Sequence, residues 1–319
     1  MPLGEILAGI FSVTLAAGVL RVTTPILLPA LGGLISDLAG VINIALEGTM
    51  LLAAFVGVVV SAYTHSAWLG LAAALAAAAM FSLVLAFVHL DLKADLILAG
   101  IAMNFLASGG TVFVMYSLTG DKGTSSELAS LTMPYVHVPV LQSIPVLGPI
   151  LSGQNLIVYV AFLMVALVWV FLYRTVWGTH LRAVGANPDA AATAGIDVRR
   201  TRYQALVLSG LLAGLGGVHM SMGYLQLFQR DMTAGRGFIA LAAVFLGGRH
   251  PVGTMFAALL FGAADALANQ LGSLRIPPQY VQMIPYVVTV VALAAYAIAQ
   301  QRAALQRQRR FQVRQAASD

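Results

Sequence analysis

The sequence contains no cysteine and few charged residues. Of its 319 residues, 9% are charged and 60% are hydrophobic, whereas soluble domains carry about 25% charged residues. The lack of cysteine excludes disulfides, thiol catalysis and cysteine metal ligands. No two of the six histidines are three or four residues apart, so a metal site is not expected either. The composition is that of an integral membrane protein.

Lysine is scarce as well, because the chain has only Lys93 and Lys122 against 15 arginines. A nucleotide-binding P-loop needs a lysine between glycine and serine or threonine, and neither lysine has that context. We therefore expect no cofactor in this chain, and any ATP-driven work must come from a separate subunit. The arginines flank apolar runs and lack the aromatic stacking platforms of a nucleic-acid surface, which excludes nucleic acid as a partner.

Apolar runs recur along the whole chain. A lipid bilayer core about 30 Å thick needs about 20 apolar residues per helix, and the predicted fold is all-α and polytopic, with one transmembrane domain over residues 1–319. About 8–10 membrane helices are expected. The candidate segments are 5–20, 22–36, 41–62, 67–90, 94–118, 155–173, 203–226, 238–246, 252–272 and 281–299.

One of these segments is too short to cross a membrane. Residues 238–246 would form a helix of about 14 Å, so they are predicted to be re-entrant or half of a broken helix. A Gly-Thr-Met string before an apolar run occurs at 48–50 and again at 253–255. This echo is either an internal repeat or a chance match in a chain rich in alanine and leucine.

The loops predict an orientation. Residues 119–153 are rich in proline, glycine and serine and are predicted to be extracytoplasmic. Loops rich in arginine face the cytoplasm, which assigns residues 174–202 and the basic tail 300–319 to that side. The arginines of the tail are Arg302, Arg307, Arg309, Arg310 and Arg314.

The polar stretch GANPDAAATAGIDVRRTR at 185–202 predicts one short helix. Asn187 is a favourable N-cap, Pro188 suits the first helical position, Asp189 favours a helix N-terminus and Gly195 can end the helix. A helix of about seven residues is too short to persist alone in water. The small Ala190, Ala191 and Ala194 would let a partner approach closely; the alternative is a surface helix that only completes a loop.

Several polar residues lie in apolar surroundings. Asn43 and Glu47 are four residues apart, which predicts a common helix face, and both are candidates for a transport path. Glu47 either lines that path or caps or pairs with a neighbouring helix. Asn104, Asp265 and Asn269 either line the path or form interhelical hydrogen bonds. Glycines on both sides of Phe238–Leu246 indicate a discontinuous membrane helix near a path.

Three of these strings resemble one family. Asp189-Ala190-Ala191, three residues and Gly195 resemble the Glu-Ala-Ala-x-x-x-Gly element of permease subunits in bacterial ATP-binding cassette importers, with aspartate in place of glutamate. The run 40–48 and the segment 234–254 are similar to motifs of the branched-chain amino acid, ribose and nucleoside branch, and closest to its nucleoside permeases. The three motifs occur in the family's order, so the resemblance extends over nearly the whole chain.

The resemblance implies a function and partners. The chain would be a permease of the cytoplasmic membrane that moves nucleosides, with simple sugars such as ribose as the second choice. Residues 187–195 would be the coupling helix that contacts a cytoplasmic ATPase. A second permease subunit, paralogous or identical, and an extracytoplasmic binding lipoprotein or periplasmic protein would complete the importer.

Residue type alone suggests what could contact a nucleoside. Asn104 offers an amide, and Phe105 and Phe238 offer aromatic stacking surfaces. A rival function is a proton-coupled secondary transporter or channel in which Glu47 and Asp265 relay protons. A purely structural membrane scaffold is the third alternative.

Overall fold

The computed structural model describes residues 13–137 and 147–271 and, in the last segment, 287–292, 294–295 and 298. In chain order the elements are α1 (Val13–Leu38), α2 (Leu46–Thr64), α3 (Ala67–Leu90), α4 (Leu96–Thr119), β1 (Tyr135–Val136), α5 (Leu147–Leu151), β2 (Gln154–Asn155), α6 (Leu156–Arg174), α7 (Val176–Ala186), α8 (Pro188–Thr193), α9 (Val198–Val218), α10 (Arg236–Leu246) and α11 (Pro251–Leu271). Strands β1 and β2 form one antiparallel pair, Tyr135 opposite Asn155. The last described residues, from 287 on, are also helical.

Seven helices in the described part of the chain are long and apolar enough to cross a membrane. They are α1, α2, α3, α4, α6, α9 with its π-helical extension His219–Tyr224, and α11. The all-α, polytopic prediction is confirmed. Helix α10 has eleven residues and extends about 16 Å, which confirms the short helix predicted near 238–246. Residues 272–286 and the basic tail 300–319 lie outside the described residues.

The first membrane helix differs from the prediction. A break at Arg21 between segments 5–20 and 22–36 was expected, but α1 continues through Arg21. A single charged side chain removes no backbone hydrogen bond, and a long side chain can reach a more polar level. The break is instead found at 39–45, so the segment predicted from residue 41 begins its helix only at Leu46.

Two prolines, Pro25 and Pro29, lie inside α1, and the carbonyl that Pro25 leaves free has a partner elsewhere in the chain. Pro25 has no N–H, so the carbonyl of Arg21, four residues earlier, loses its helical partner. The Nε2 of His219 lies 3.1 Å from that carbonyl oxygen and donates to it. His219 is completely buried. The start of the π-helical turn in the second half of the chain therefore satisfies a backbone group in the first helix.

Helix α9 lies at the centre of the bundle. Four-fifths of the α1 and α9 spans are buried, 78% in each, against 22% for α4. Small residues on α9 permit close contact with α1, α2 and α3: a Cβ added at Gly217 would clash with the backbone of Met50, and one added at Gly214 would lie 2.7 Å from the Cβ of Ala78. Without hydrophobic force between helices in lipid, such close packing holds a bundle together.

The two long polar loops lie at opposite ends of the bundle. After α4, the Ser125 amide donates to the carbonyl of Phe228 at 2.9 Å, and the Leu131 amide donates to Ser61, near the end of α2, at 2.9 Å. At the other end, α7 packs closely against the end of α1, and Arg199 pairs with Asp91 just after α3. The predicted orientation requires this separation, because it assigns residues 119–153 and 174–202 to opposite sides of the membrane.

We expect Gly217→Ala to destabilise the protein, because the new methyl group must displace the α2 backbone at Met50. Overpacking of this kind costs about 1–3 kcal/mol and should lower the midpoint of thermal unfolding in detergent. The matched control is Gly109→Ala in α4, where nothing lies within 4 Å of the added carbon and alanine favours the helix. Equal midpoints for both variants would contradict this packing.

Candidate functional site

The break between α1 and α2 is organised by Asn43. Its backbone N–H donates to the Ser36 hydroxyl at 3.2 Å, its Oδ1 accepts from the amide of Ala45 at 3.0 Å, and its Nδ2 donates to the Ser209 hydroxyl at 3.0 Å. The prediction that Asn43 shares a helix face with Glu47 is wrong, because α2 begins only at Leu46. Asn43 is completely buried and joins the break to α9.

Asn104 holds the start of α2 from outside that helix. Its Oδ1 accepts from the amide of Gly48 at 2.7 Å, and its Nδ2 donates to the carbonyl of Ile44 at 2.9 Å. The first amides of a helix have no intrahelical acceptor, and Ala45, the residue at the cap position, offers none from its side chain. An amide on α4 therefore acts as the cap, so the interhelical alternative for Asn104 describes its contacts in this structure.

Glu47 makes the central contact of the site. Its Oε1 accepts from the amide of Gly235 at 2.8 Å, and its Oε2 accepts from the amide of Gly237 at 2.7 Å. Both amides belong to the start of α10, where a carboxylate is favoured by the unpaired N–H groups and by the helix dipole. Of the two interpretations of Glu47, the one that agrees with these contacts is the cap on a neighbouring helix.

The glycines at the start of α10 are required for this contact. Gly235 has a φ of +78°, which side chains with a Cβ rarely adopt. A Cβ on Gly237 would lie 2.5 Å from the backbone nitrogen of Glu47. Glycine at both positions therefore allows the backbone at the start of α10 to approach Glu47 closely.

A partly buried ion pair lies beside this cap. Arg236 donates from Nη2 to Oδ2 of Asp265 at 2.8 Å, and the two side chains are only 19% and 15% exposed. Asp265 thus has a partner on α10. Asn269, one turn later on α11, is exposed. The two residues therefore differ, because Asp265 contacts α10 and Asn269 lies on the surface of the chain.

Two predicted aromatic residues border the same site. Phe105 follows Asn104 on α4 and is 74% exposed, and Phe238 follows Gly237 on α10 and is 48% exposed. Both rings therefore lie on the outer surface of this chain. The site brings together Glu47, Asn104, Asp265 and the backbones of both phenylalanines, while Asn43 faces the interior and Asn269 stands apart.

The short helix predicted in the polar loop is present as α8. Asn187 caps it by accepting from the amide of Ala190 at 3.0 Å, and Pro188 is its first residue. Gly195 has a φ of +82°, and the amide of Ile196 donates to the carbonyl of Ala191 at 3.0 Å. The capping chemistry read from the sequence is confirmed residue by residue.

The small residues of this helix have different surroundings. Ala191 is only 3% exposed and seats α8 on the rest of the chain, so Ala191 itself is not available to a partner in this structure. Asp189, Ala190 and Ala194 are exposed. The outer face of α8 is therefore short, consists mainly of small side chains and is exposed.

The helix that follows α8 is fixed to the bundle by a charged contact. Arg199 lies 2.6 Å from Oδ1 of Asp91, and the Tyr203 hydroxyl donates to the same carboxylate. The hydrogen bond from Tyr203, with the bonds from Arg199, lowers the pKa of Asp91. Asp91 thus stays charged and ties the end of α3 to the start of α9.

Comparison with known proteins identifies the chain. Residues 15–293 match the family of the branched-chain amino acid transport system permease component. The chain belongs to this permease family. As a member, the permease is a transport subunit, and the seven apolar helices within its described residues are those of a multi-pass protein of the cytoplasmic membrane. The family predicted from the three motifs is confirmed.

Relatives of the permease span nearly its full length. It is 38% identical to the guanosine ABC transporter permease protein NupQ of Bacillus subtilis over 85% of this chain and 88% of that protein. It is 34% identical to the nucleoside ABC transporter permease protein NupC of Lactococcus lactis over 88% and 92% of the two chains. Another relative, 35% identical over 89% and 92%, is TsgC13 of Haloferax volcanii, whose name assigns it to glucose transport.

Solved structures share the fold of the permease. A metal-chelate type ABC transporter in an inward-facing conformation aligns with a TM-score of 0.55 over 91% of this chain and 88% of that chain, at 17% identity. PsaBC from Streptococcus pneumoniae aligns with a TM-score of 0.52 over 91% and 95%, at 13% identity. At these identities the likeness concerns the fold alone.

Sequence reasoning missed two parts of the permease site. Arg236, between the two glycines, forms the partly buried ion pair with Asp265, and helix α7 precedes α8 where only a loop was expected. The position of Arg236 beside an apolar short helix could have predicted this pair, since a charge among membrane helices requires a partner. Among the described residues, no group of three metal-ligating side chains occurs.

We expect Glu47→Gln to weaken the permease, because an amide has one acceptor oxygen for the two N–H groups of Gly235 and Gly237. A buried donor left without an acceptor costs about 1–3 kcal/mol, which should lower the thermal midpoint in detergent. Glu127→Gln, an exposed change in the loop after α4, is the control and should have no effect. If both variants melt with the wild type, the cap contributes nothing to stability.

Proposed function

We propose that this permease moves nucleosides inward as one membrane subunit of an ATP-binding cassette importer. Two relatives at 34–38% identity over most of their length carry guanosine and nucleoside permease names, and this is the observation that carries the proposal. Simple sugars are the second choice, which the glucose name of the Haloferax relative favours. ATP hydrolysis would take place on a separate ATPase.

The outer face of α8 is the surface that we assign to the ATPase. The helix is capped at both ends and held on the bundle by Ala191, so force applied to it passes to α7 and α9. Its exposed residues are small and let a groove of the partner approach closely. Asn187, Pro188, Asp189, Ala190 and Gly195 build this contact, with Ala191 beneath it.

The transport path is assigned to the surface around the start of α10. A discontinuous helix beside a path is common in transporters because irregular backbone is tolerated where it lines a cavity. Phe105 and Phe238 are exposed there, although other exposed aromatic rings, such as Phe87 and Phe113, lie elsewhere on the bundle. A second permease subunit, homologous or identical, would close this surface, and an extracytoplasmic binding lipoprotein or periplasmic protein would deliver the substrate.

The structure offers less to the proton-coupled alternative. Glu47 accepts two backbone hydrogen bonds and Asp265 pairs with Arg236, so both carboxylates already have structural partners. A relay would need one of them to change protonation without losing these contacts. An importer gives α8 a role as the contact for the ATPase, whereas a proton-coupled transporter would leave α8 without a function.

We expect Ala190→Glu to uncouple the importer, because it adds a charge to the exposed face of α8 that the ATPase would have to cover. ATP-driven uptake into proteoliposomes and co-purification of the ATPase should both be lost, while the amount of inserted permease stays constant. The control is Ala129→Glu, which alters an equally exposed alanine at the opposite end of the bundle. Normal uptake by Ala190→Glu would remove α8 from the coupling contact.

The substrate is tested by labelled uptake in cells with and without the gene for this chain. Labelled guanosine uptake should depend on the chain, and unlabelled nucleosides should compete while ribose and glucose do not. Competition by the sugars alone would assign the permease to sugar transport.

Aromatic stacking contributes about 1–3 kcal/mol per base in other proteins, so Phe105→Ala or Phe238→Ala should raise the KM about tenfold. Phe87→Ala changes a ring on α3 that is about as exposed as Phe238, 51% against 48%, and should leave the KM unchanged. A KM that all three variants leave at the wild-type value would remove both rings from the path.

A further inference from the structure

A second surface feature lies away from α10, beside the arginine-rich end of the bundle. It is a groove of about 440 Å³ between α3, α6, α7 and α9, open to the outside. Its lining residues are Leu83, Phe171, Trp177, Tyr203, Gln204, Val207 and Leu208. Leu83 lies on the outer face of α3 with Met80 and Phe87, all of them exposed. The groove therefore opens toward the hydrocarbon of the bilayer.

The walls of this groove are preformed. The Phe171 and Trp177 rings stack at 4.6 Å between centroids, and Trp177 donates from Nε1 to the Gln204 side-chain oxygen at 2.6 Å. A Cβ on Gly178 would clash with the end of α6, so the turn into α7 is fixed. Gln204, the one amide of the lining, has its oxygen engaged by the indole.

Positive charge borders the polar end of the groove. The loop 174–202 carries five arginines and two aspartates. Arg199 is neutralised by Asp91 and lies over the Tyr203 ring. Arg200 is exposed, and among the described residues its guanidinium has no hydrogen-bond or ion-pair partner. Because Arg200 precedes Gln204 and Val207 by four and seven residues on α9, it lies above the groove on the same helix face.

We infer that this groove binds an anionic phospholipid, with an acyl chain along Leu83, Val207 and Leu208 and the headgroup phosphate at Arg200. The groove changes from apolar to charged in the same sequence as a lipid does from acyl chain to headgroup. Its apolar residues lie deepest, the Trp177 indole lies at the boundary and the unpaired Arg200 lies at the polar end. Tryptophan favours this boundary level, and basic residues near the surface attract anionic headgroups. A nucleoside would need several convergent polar groups, which the lining does not offer.

The test uses Trp177 as its own reporter. In the full importer carrying Trp68→Phe and Trp169→Phe, Trp177 is the remaining tryptophan of this chain, and partner tryptophans are subtracted with a Trp177→Phe sample. The importer is reconstituted in phosphatidylcholine with increasing brominated phosphatidylglycerol or brominated phosphatidylcholine. We expect quenching at about fivefold lower phosphatidylglycerol, the preference that one basic residue provides. Arg200→Gln should abolish that preference, and Val207→Phe, which fills the groove, should weaken quenching by both lipids.

The control is Arg230→Gln, another exposed arginine, at the opposite end of the bundle, which should keep the preference. Equal quenching by both lipids would reduce the groove to ordinary bilayer contact and overturn the inference. Protection of Trp177 from both lipids would mean that the ATPase or the second permease covers it, which also overturns it. Should the double tryptophan variant not assemble, phosphatidylglycerol retained by the wild type and by Arg200→Gln, measured by native mass spectrometry, decides between the same outcomes.

Discussion

The structure depends on one contact, the carboxylate of Glu47 between the first amides of α10. The short helix is about half as long as a membrane span, and its first N–H groups have no acceptor within the helix itself. Glu47 supplies two acceptors at once. The same residue belongs to the first turn of α2, whose own amide at Gly48 is satisfied by Asn104. Two helix starts thus meet head to head, and each depends on a side chain from elsewhere.

Local chemistry explains what the sequence predicted well. The N-cap Asn187, the proline after it and the left-handed Gly195 act over a few residues, and α8 follows from them almost completely. Long apolar runs gave α3, α4 and α6 to within two residues. In both cases the determining interaction is local or is the bilayer itself, so no knowledge of the fold was required.

The misplaced elements have long-range causes. The expected break at Arg21 was wrong because the helix tolerates one charge, while the true break at 39–45 is held by Asn43 through Ser209, 166 residues away. The role of Glu47 needs Gly235, 188 residues away. A sequence pattern identified both residues as unusual and could not name their partners, because pairing across the bundle leaves no periodic signal. Arg236 was missed for the same reason.

The bond between His219 and Arg21 has a consequence in time. Pro25 frees the Arg21 carbonyl as soon as α1 forms, and its acceptor role is filled only by a histidine 198 residues later. At about 5–20 residues per second of synthesis, the ribosome needs about 10–40 s to reach that histidine. During this interval the Arg21 carbonyl of the first helix lacks the partner that it has in the folded permease.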